Sequence, residues 1–480
     1  MSEKSLDFIQ NQINNAKFVL ENYTKNKSGF VYSSRNIFVL IDKYVEDFLS
    51  NTENERWIIM PGLRGVGKTT ILAQTYTKLN NTNFDSRRLL YIPLDKAVNT
   101  LGISLLDVLN AYQSFLGEKF ENLSEKIVLF IDEVQADSNW GNIIKTNIFD
   151  VTDKVMVIIT GSSAVALQAK NNADIIRRSR IEKLFPMNFC EYQIIKNSKY
   201  PIAKLKGKIK EAMFESENSE EIFSKLSLLK KDVNKYWSNI DDLEIENYIT
   251  TGTFPFTVNK GQEKVFDNVN NQLDTIINKD IVELGTFDVK TLKSIKRLLY
   301  ILADISDAIS YAKLAKALDT NHVTLANMME VLEKAEVLIK LSRLGSNLSK
   351  TTSFSKYLFM SPLYRASLLD VTGKINVYYT RQGKMIEDII GSYLYREFVS
   401  KNTGSLEYDY ASKGADIVLR LKNKKDIVIE IGRGDKSFEE PLATMKKLGS
   451  QIGMVICYKT NELKFENGVV KIPLKYFLLS

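Results

Sequence analysis

The sequence predicts an α/β protein built in several parts, led by a parallel sheet with helices on both faces. Short runs rich in Val, Ile and Leu recur at residues 57–60, 89–94, 127–131 and 155–160, with a weaker one at 181–185, and longer helical stretches separate them. Continuous apolar strands between helices indicate a sheet buried on both faces, because parallel strands need helical crossovers that cover it. At 480 residues the chain also exceeds what one hydrophobic core supports, so further domains follow the first sheet.

Residues 1–55 alternate polar and apolar at helical spacing (Phe8, Ile9, Ile13, Phe18, Val19, then Phe38, Ile41, Tyr44, Val45, Phe48) and read as helices leading into that sheet. Residues 190–280 are helical and rich in lysine, with KLKGKIK and KLSLLKKDVNK segments, and read as a lid. From 289 to 363 the order is helix, helix, helix, strand, a turn at Gly345-Ser346, strand, which fits a winged helix. Its third helix offers His322, Thr324 and Asn327 beside Glu330, Glu333 and Glu336, and its wing offers Lys340, Arg343, Lys350 and Lys356. A helix and the strands 416–421, 426–431 and 454–457 close the chain as a small α/β domain.

Bulk properties narrow the function. Hydrophobic residues make up 44% and charged residues 26%, an ordinary globular balance. Cys190 and Cys457 give neither a disulfide framework nor a metal-ligand spacing, and read as buried thiols of a reducing compartment. The start, MSEKSLDFIQ, lacks the basic flank and apolar run of an export signal, and no apolar run approaches the roughly twenty residues that span a bilayer. The expectation is a cytoplasmic protein with no membrane partner. A net charge of +7 is compatible with a polyanionic partner but modest for this length.

Gly62-Leu63-Arg64-Gly65-Val66-Gly67-Lys68-Thr69, followed by Thr70, matches the phosphate-binding loop at every required position and stands between a strand and a helix. Glycines let successive N–H groups and the helix N-terminus face phosphates. Lys68 is then expected to meet β/γ oxygens and the Thr69 hydroxyl to bind Mg²⁺. The run 127–131 ends in Asp132-Glu133. Such a pair also serves as a helix cap, but after a phosphate-binding loop Asp132 is expected to hold Mg²⁺ and Glu133 to act as general base on the attacking water. After 155–160 come Gly161-Ser162-Ser163, where Ser162 or Ser163 is a candidate γ-phosphate sensor or a plain turn residue. Arg177, Arg178 and Arg180 are candidates for an arginine finger, in cis or in trans, or for a solvated face. ATP and Mg²⁺ are the expected cofactors.

GLRGVGKTT (62–70), FIDEVQADSNW (130–140), TGSSAVAL (160–167), SRIEKLFPMNFCEY (179–192) and TGTFPF (251–256) together resemble a family of archaeal and bacterial AAA-type ATPases with a C-terminal nuclease-like domain. The resemblance runs from about residue 35 over most of the chain. It implies an ATPase core with N-terminal helices at 1–190, a helical lid at 191–285, a winged helix at 286–370 and a PD-(D/E)XK nuclease-like domain at 371–480. It marks Arg180 as the finger, although Ser179 stands where the family has glycine, and Thr253 replaces the second glycine of a Gly-Gly-aromatic-Pro motif. In the last domain Glu387, Asp416 and Glu430 resemble the carboxylates that hold a divalent metal beside a scissile phosphate. The lysine expected two positions after Glu430 is replaced by Gly432, and Lys436 or Arg433 are the candidates to replace its charge. The expectation is a nuclease-like fold with little or no cleavage.

Two readings of the whole chain follow. In one, ATP turnover repositions the lid, winged helix and nuclease-like domain on nucleic acid. In the other, ATP controls protein capture or homo-oligomerisation without nucleic acid.

Overall fold

Strands buried on both faces need apolar side chains throughout, and a computed structural model places the apolar runs accordingly. It describes residues 3–25, 29, 31–52, 55–163, 173–285, 287–305, 310–345, 355–373, 375–422, 424–434 and 436–480. The chain divides into two compact units, Met1–Phe185 and Pro186–Ser480.

In the first unit β1 (Trp57–Pro61), β2 (Leu89–Pro93), β3 (Ile127–Asp132), β4 (Val155–Gly161) and β5 (Arg180–Ile181) form one sheet in the order β2-β3-β4-β1-β5. Every pairing is parallel, with Trp57 opposite Val157 and Ile127 opposite Val155. β5 is shorter than the run 181–185 and starts a residue earlier. Beyond Ile181 the chain stays beside β1 only through separate bonds, Glu182 N–H to the Ile59 carbonyl and Leu184 N–H to that of Pro61, both 2.8 Å.

The longer helices of this unit, among the described residues, are α1 (Glu3–Thr24), α2 (Asn36–Ser50), α3 (Lys68–Asn80), α4 (Leu94–Leu101) and α5 (Leu105–Leu116). One core joins Phe8 and Ile9 of α1, Leu105, Val108 and Leu109 of α5, and inward residues of the strands. Trp57 anchors it, stacked on Phe149 at 4.4 Å and edge-on to Trp140 at 6.3 Å. Ser104 and Asp107 form a reciprocal cap that starts α5.

The second unit begins with helices from Phe189–Asn197 to Gln262–Thr275. The TGTFPF segment lies among them, and the buried Thr253 hydroxyl hydrogen-bonds to Ser361 at 2.7 Å. Helices Val289–Asp304, Tyr311–Ala317 and His322–Lys334 then precede the antiparallel strands β6 (Leu338–Arg343) and β7 (Lys356–Phe359). After helices Pro362–Val371 and Ile375–Leu394 come β8 (Gly404–Tyr408), β9 (Ile417–Leu421), β10 (Ile427–Gly432), β11 (Ile452–Cys457), β12 (Lys464–Glu466) and β13 (Val469–Pro473).

These eight strands make one sheet, ordered β12-β13-β11-β10-β9-β8-β6-β7, because β6 pairs in parallel with β8 at Ser342–Glu407 and Arg343–Tyr408. The hairpin and the C-terminal strands, assigned to separate domains from sequence, therefore share a sheet. A buried ion pair fixes the helix Ile375–Leu394 against β7. Asp388 accepts two bonds from Arg365, at 2.7 and 2.9 Å, and the Phe359 N–H at 2.9 Å. Arg365 also donates to the carbonyls of Leu302 and Ala303, so the pair is fully hydrogen-bonded, which is what makes a buried charge tolerable.

Candidate functional site

The loop after β1 turns tightly because its glycines allow it. Gly65 and Gly67 have φ of 75° and 100°, in the left-handed region that side chains disfavour. Gly62 is needed for a different reason. A Cβ there would lie 2.2 Å from the Leu184 carbonyl oxygen, which runs alongside β1. Leu63 and Val66 are buried under the loop, while Arg64 and Gly65 stand at its rim. Lys68 opens α3, and its buried ammonium donates to the Gly62 and Leu63 carbonyls at 2.8 and 3.0 Å. Arg35, which sequence reasoning passed over, is buried and donates to the Val66 carbonyl at 2.8 Å, pinning the loop from the chain just before α2.

At the end of β3, Asp132 is almost fully buried and surrounded by hydroxyls. Thr69 donates to Oδ2 at 2.9 Å, Tyr91 to the same oxygen at 3.2 Å, and Thr160 to Oδ1. Burial pushes the Asp132 pKa above the ordinary carboxylate range, against the opposing bonds from Thr160 and Thr69. A desolvated carboxylate oxygen beside the Thr69 hydroxyl, at the foot of a phosphate-binding loop, fits a hard divalent cation. Glu133 turns sharply away with φ 53° and ψ 52°, a left-handed conformation costing roughly 1–3 kcal/mol in a non-glycine residue. Its N–H donates to the Thr160 hydroxyl at 3.3 Å, and its carboxylate accepts from Gln135 at 2.6 Å.

Residues 54–193 match the family model for an AAA domain, and residues 242–374 match a domain of unknown function (DUF8612). Over 478 residues the chain is 33% identical to the uncharacterized protein MJ1637 of Methanocaldococcus jannaschii, covering 98% of this chain and 93% of that one. The chain belongs to that family. It is an AAA-type P-loop protein. Among solved structures it is similar to the Aeropyrum pernix ORC1 protein in complex with DNA (10% identity, 74% of this chain, 96% of that chain, TM-score 0.34). It is also similar to the Thermotoga maritima RuvB Holliday junction branch migration motor (16%, 67%, 93%, TM-score 0.27). These superpositions are loose, and the assignment to the AAA domain rests on the sequence matches.

The other candidates near the AAA site lie differently from one another. Thr160 is the β4 hydroxyl that meets Asp132 and the Glu133 amide, whereas Ser162 and Ser163 are buried just beyond the end of β4. Residues 164–167 of the TGSSAVAL segment lie outside the described residues. Arg177 is 3.7 Å from Asp174, Arg178 pairs with Asp150, and Arg180 pairs with Glu55. Arg180 stands opposite Ile58 on β1, four residues before Gly62, or about 13 Å at strand spacing. The structure thus places Arg180 at the far end of the sheet from the phosphate loop of its own chain. Its side chain is 56% exposed on the edge strand.

In the second unit Glu387, Asp416 and Glu430 are paired with three lysines. Lys356 lies 2.7 Å from Glu387 and 3.0 Å from Asp416, Lys384 is 2.6 Å from Glu387, and Lys436 is 2.7 Å from Glu430. Gly432 explains how Lys436 gets there. A Cβ at that position would lie 2.3 Å from the Lys436 Cγ, so the stem of Lys436 runs across the bare backbone. Burial and the Asp416 charge push the Glu430 carboxyl up to about 7. Burial works against the Lys356 charge, but Glu387 and Asp416 outweigh it and hold the ammonium well above the ordinary lysine range.

Among the described residues no group of three or more His, Cys, Asp or Glu is arranged to hold a metal ion. The Lys356 ammonium lies between Glu387 and Asp416, and Glu430 pairs with Lys436 instead. Lys356 is correspondingly lost from the expected basic wing. Of the other wing residues, Lys340 is exposed, Arg343 lies over the Tyr410 ring at 4.6 Å, and Lys350 falls outside the described residues. His322 and Asn327 are exposed on their helix. No described helix is long and apolar enough to cross a membrane.

Proposed function

We propose that this chain binds ATP with Mg²⁺ and hydrolyses it, and that its nucleotide state repositions the winged-helix and nuclease-like parts on nucleic acid. The observation that supports the reading best is the hydroxyl-ringed Asp132 at the foot of the phosphate loop, bonded to Thr69 in the first turn of α3 and Thr160 near the end of β4. Loop N–H groups and Lys68 bind the β and γ phosphates, exchanging the Gly62 and Leu63 carbonyls for stronger anionic acceptors. Thr69 and Asp132 hold the cation, which supplies neutralisation of phosphate charge. Glu133, turned out of β3 and steadied by Gln135, orients the attacking water and takes its proton. Thr160 links the two carboxylate positions, so that a change at the γ-phosphate is felt by both. Arg180, remote from its own loop, serves a neighbouring copy in trans, which makes a homo-oligomer the acting form.

Lys68→Ala should abolish nucleotide binding, while Glu133→Gln should keep ATP bound and lose most turnover, because Lys68 meets ground-state charge and Glu133 acts only on the reacting water. Nucleotide binding and phosphate release measured with and without duplex and single-stranded nucleic acid, across a salt series, test both halves. Nucleic acid engaged through exposed lysines such as Lys204, Lys208, Lys230 and Lys231 gives binding that weakens steeply with salt. Full turnover by Glu133→Gln protein overturns the catalytic assignment.

A second reading has one observation in its favour. The third helix of the winged module carries exposed Glu330, and Lys356, at the start of β7, is buried. Both weaken a phosphate-binding surface and favour ATP-controlled capture of a protein partner. A salt-independent ATPase rate, indifferent to nucleic acid, would select it.

A further inference from the structure

The carboxylates of the second unit are oriented by the backbone, independently of the lysines. Glu430 Oε2 accepts the Asp416 N–H at 3.2 Å, and Asp416 Oδ2 accepts the Ile431 N–H at 3.1 Å. The other oxygen of Asp416 meets Glu387 at one group, the Lys356 ammonium, while the other oxygen of Glu430 is taken by Lys436. Glu387 Oε2 is buried, has no aligned hydrogen-bond donor, and meets the Lys356 ammonium by charge at 2.7 Å. Here a single buried ammonium serves two carboxylates, from a helix and a strand end, as a bound cation does.

Lys356 is also held in place. It opens β7, which is antiparallel to β6 and pinned to the helix bearing Glu387 through the Phe359 N–H on Asp388. Gly391 of that helix lets the backbone approach β7 closely, since a Cβ there would lie 2.3 Å from a Leu358 methyl. With Lys384 and Lys436 at the flanks, three ammonium groups face three carboxylates, and the cluster is formally neutral without any ion.

We propose that Lys356 is the resident cation of this cluster, occupying the place a divalent ion would take between Glu387 and Asp416, so that Mg²⁺ or Mn²⁺ binds there only when that ammonium is removed. A dication sharing these oxygens would face the ammonium at contact range in a buried, weakly screened site. The lysine therefore closes a latent site of hard oxygen donors. The inference stands apart from the ATP site, and its test is built to keep the two separate.

Full-length protein in an Asp132→Asn background, free of nucleotide, is titrated with Mn²⁺ and the free ion followed by electron paramagnetic resonance. The background protein should bind no Mn²⁺ in an Asp416-dependent way. Lys356→Met, which keeps stem length and removes the charge, should gain one site at least ten-fold tighter than any in the background, and Asp416→Asn should abolish it. Lys356→Arg should behave as the background does. Millimolar Mn²⁺ should also raise the thermal midpoint of Lys356→Met and leave that of the background unchanged. Should Lys356→Met not fold, comparing the background with its Asp416→Asn variant still decides the matter. Asp416-dependent Mn²⁺ binding while Lys356 is present overturns the proposal, as does a folded Lys356→Met protein that gains no site.

Discussion

Thr160→Val removes one hydroxyl and keeps the shape of the side chain, which isolates what that hydroxyl does at the ATP site. In the structure it donates to Asp132 Oδ1 and accepts the Glu133 N–H, so it couples the proposed cation holder to the residue proposed to orient water. A hydrogen bond to a charged acceptor contributes about 1.5–3 kcal/mol, and its loss from a buried carboxylate is not made good by solvent. At about 1.4 kcal/mol per ten-fold, turnover should fall by roughly 10- to 100-fold if that bond is used in the transition state. Nucleotide affinity should change by no more than about three-fold, since Lys68 and the loop amides are untouched. The assay is single-turnover phosphate release beside equilibrium nucleotide binding, with Ser162→Ala as the comparison. Ser162→Ala should stay within about three-fold of the parent in both. Parent-like turnover in Thr160→Val together with a large loss in Ser162→Ala would refute the reasoning and return the sensing role to Ser162.

Asp132→Asn should abolish hydrolysis yet raise the melting temperature of the nucleotide-free protein near neutral pH. The folded-state pKa of Asp132 is raised, so the folded chain binds the proton more tightly than the unfolded one and stability falls as pH rises through that window; asparagine removes the penalty, and a melting series against pH checks it. Glu430 obeys the same sign, with its window between the ordinary carboxylate range near about 4.3 and the raised value of about 7. Unfolding of Glu430→Gln protein should therefore depend less on pH across that window, and an unchanged slope would contradict the burial cause. Arg180→Ala should lower turnover and leave binding intact, and mixing it with Lys68→Ala protein should restore some activity if the arginine acts across copies. No complementation in mixed samples would return Arg180 to the Glu55 pair alone.

The first sheet was legible because burial on both faces leaves strands as unbroken apolar runs, and the phosphate loop because its glycines are each required by backbone geometry. The foot of the site was less legible. Thr160 ends an otherwise apolar strand beside the carboxylate strand, a signal that was available. Tyr91 and Arg35 reach Asp132 and the loop across folded distance from stretches with no local pattern. In the second unit the three carboxylates could be picked from their strand and helix context. β13 could not, because four apolar positions interrupted by Lys471 look like a loop end until parallel pairing with β11 buries them. The place of Lys356 was hidden for the same reason: it follows from β6 joining β8, a pairing between strands sixty residues apart that no short window contains.

The two carboxylate sites show opposite solutions to one electrostatic problem. Asp132 and Asp416 are both nearly buried, and burial alone raises a carboxyl pKa. At Asp132 the close partners are neutral hydroxyls of Thr69, Tyr91 and Thr160, with Lys68 acting only at longer range, and the pKa stays raised. That carboxylate is left in need of positive charge, which is what a cation arriving with a nucleotide supplies. At Asp416 the partner is an ammonium in contact, and the pKa is held below the ordinary range although most of that side chain is also removed from solvent. Such a carboxylate gains little from a further cation. The lysine missing at position 432 is thus a poor guide to what the second unit does, because Lys436 already brings an equivalent charge to Glu430. Lys356 is the better guide, since it determines whether the cluster can take up a metal ion.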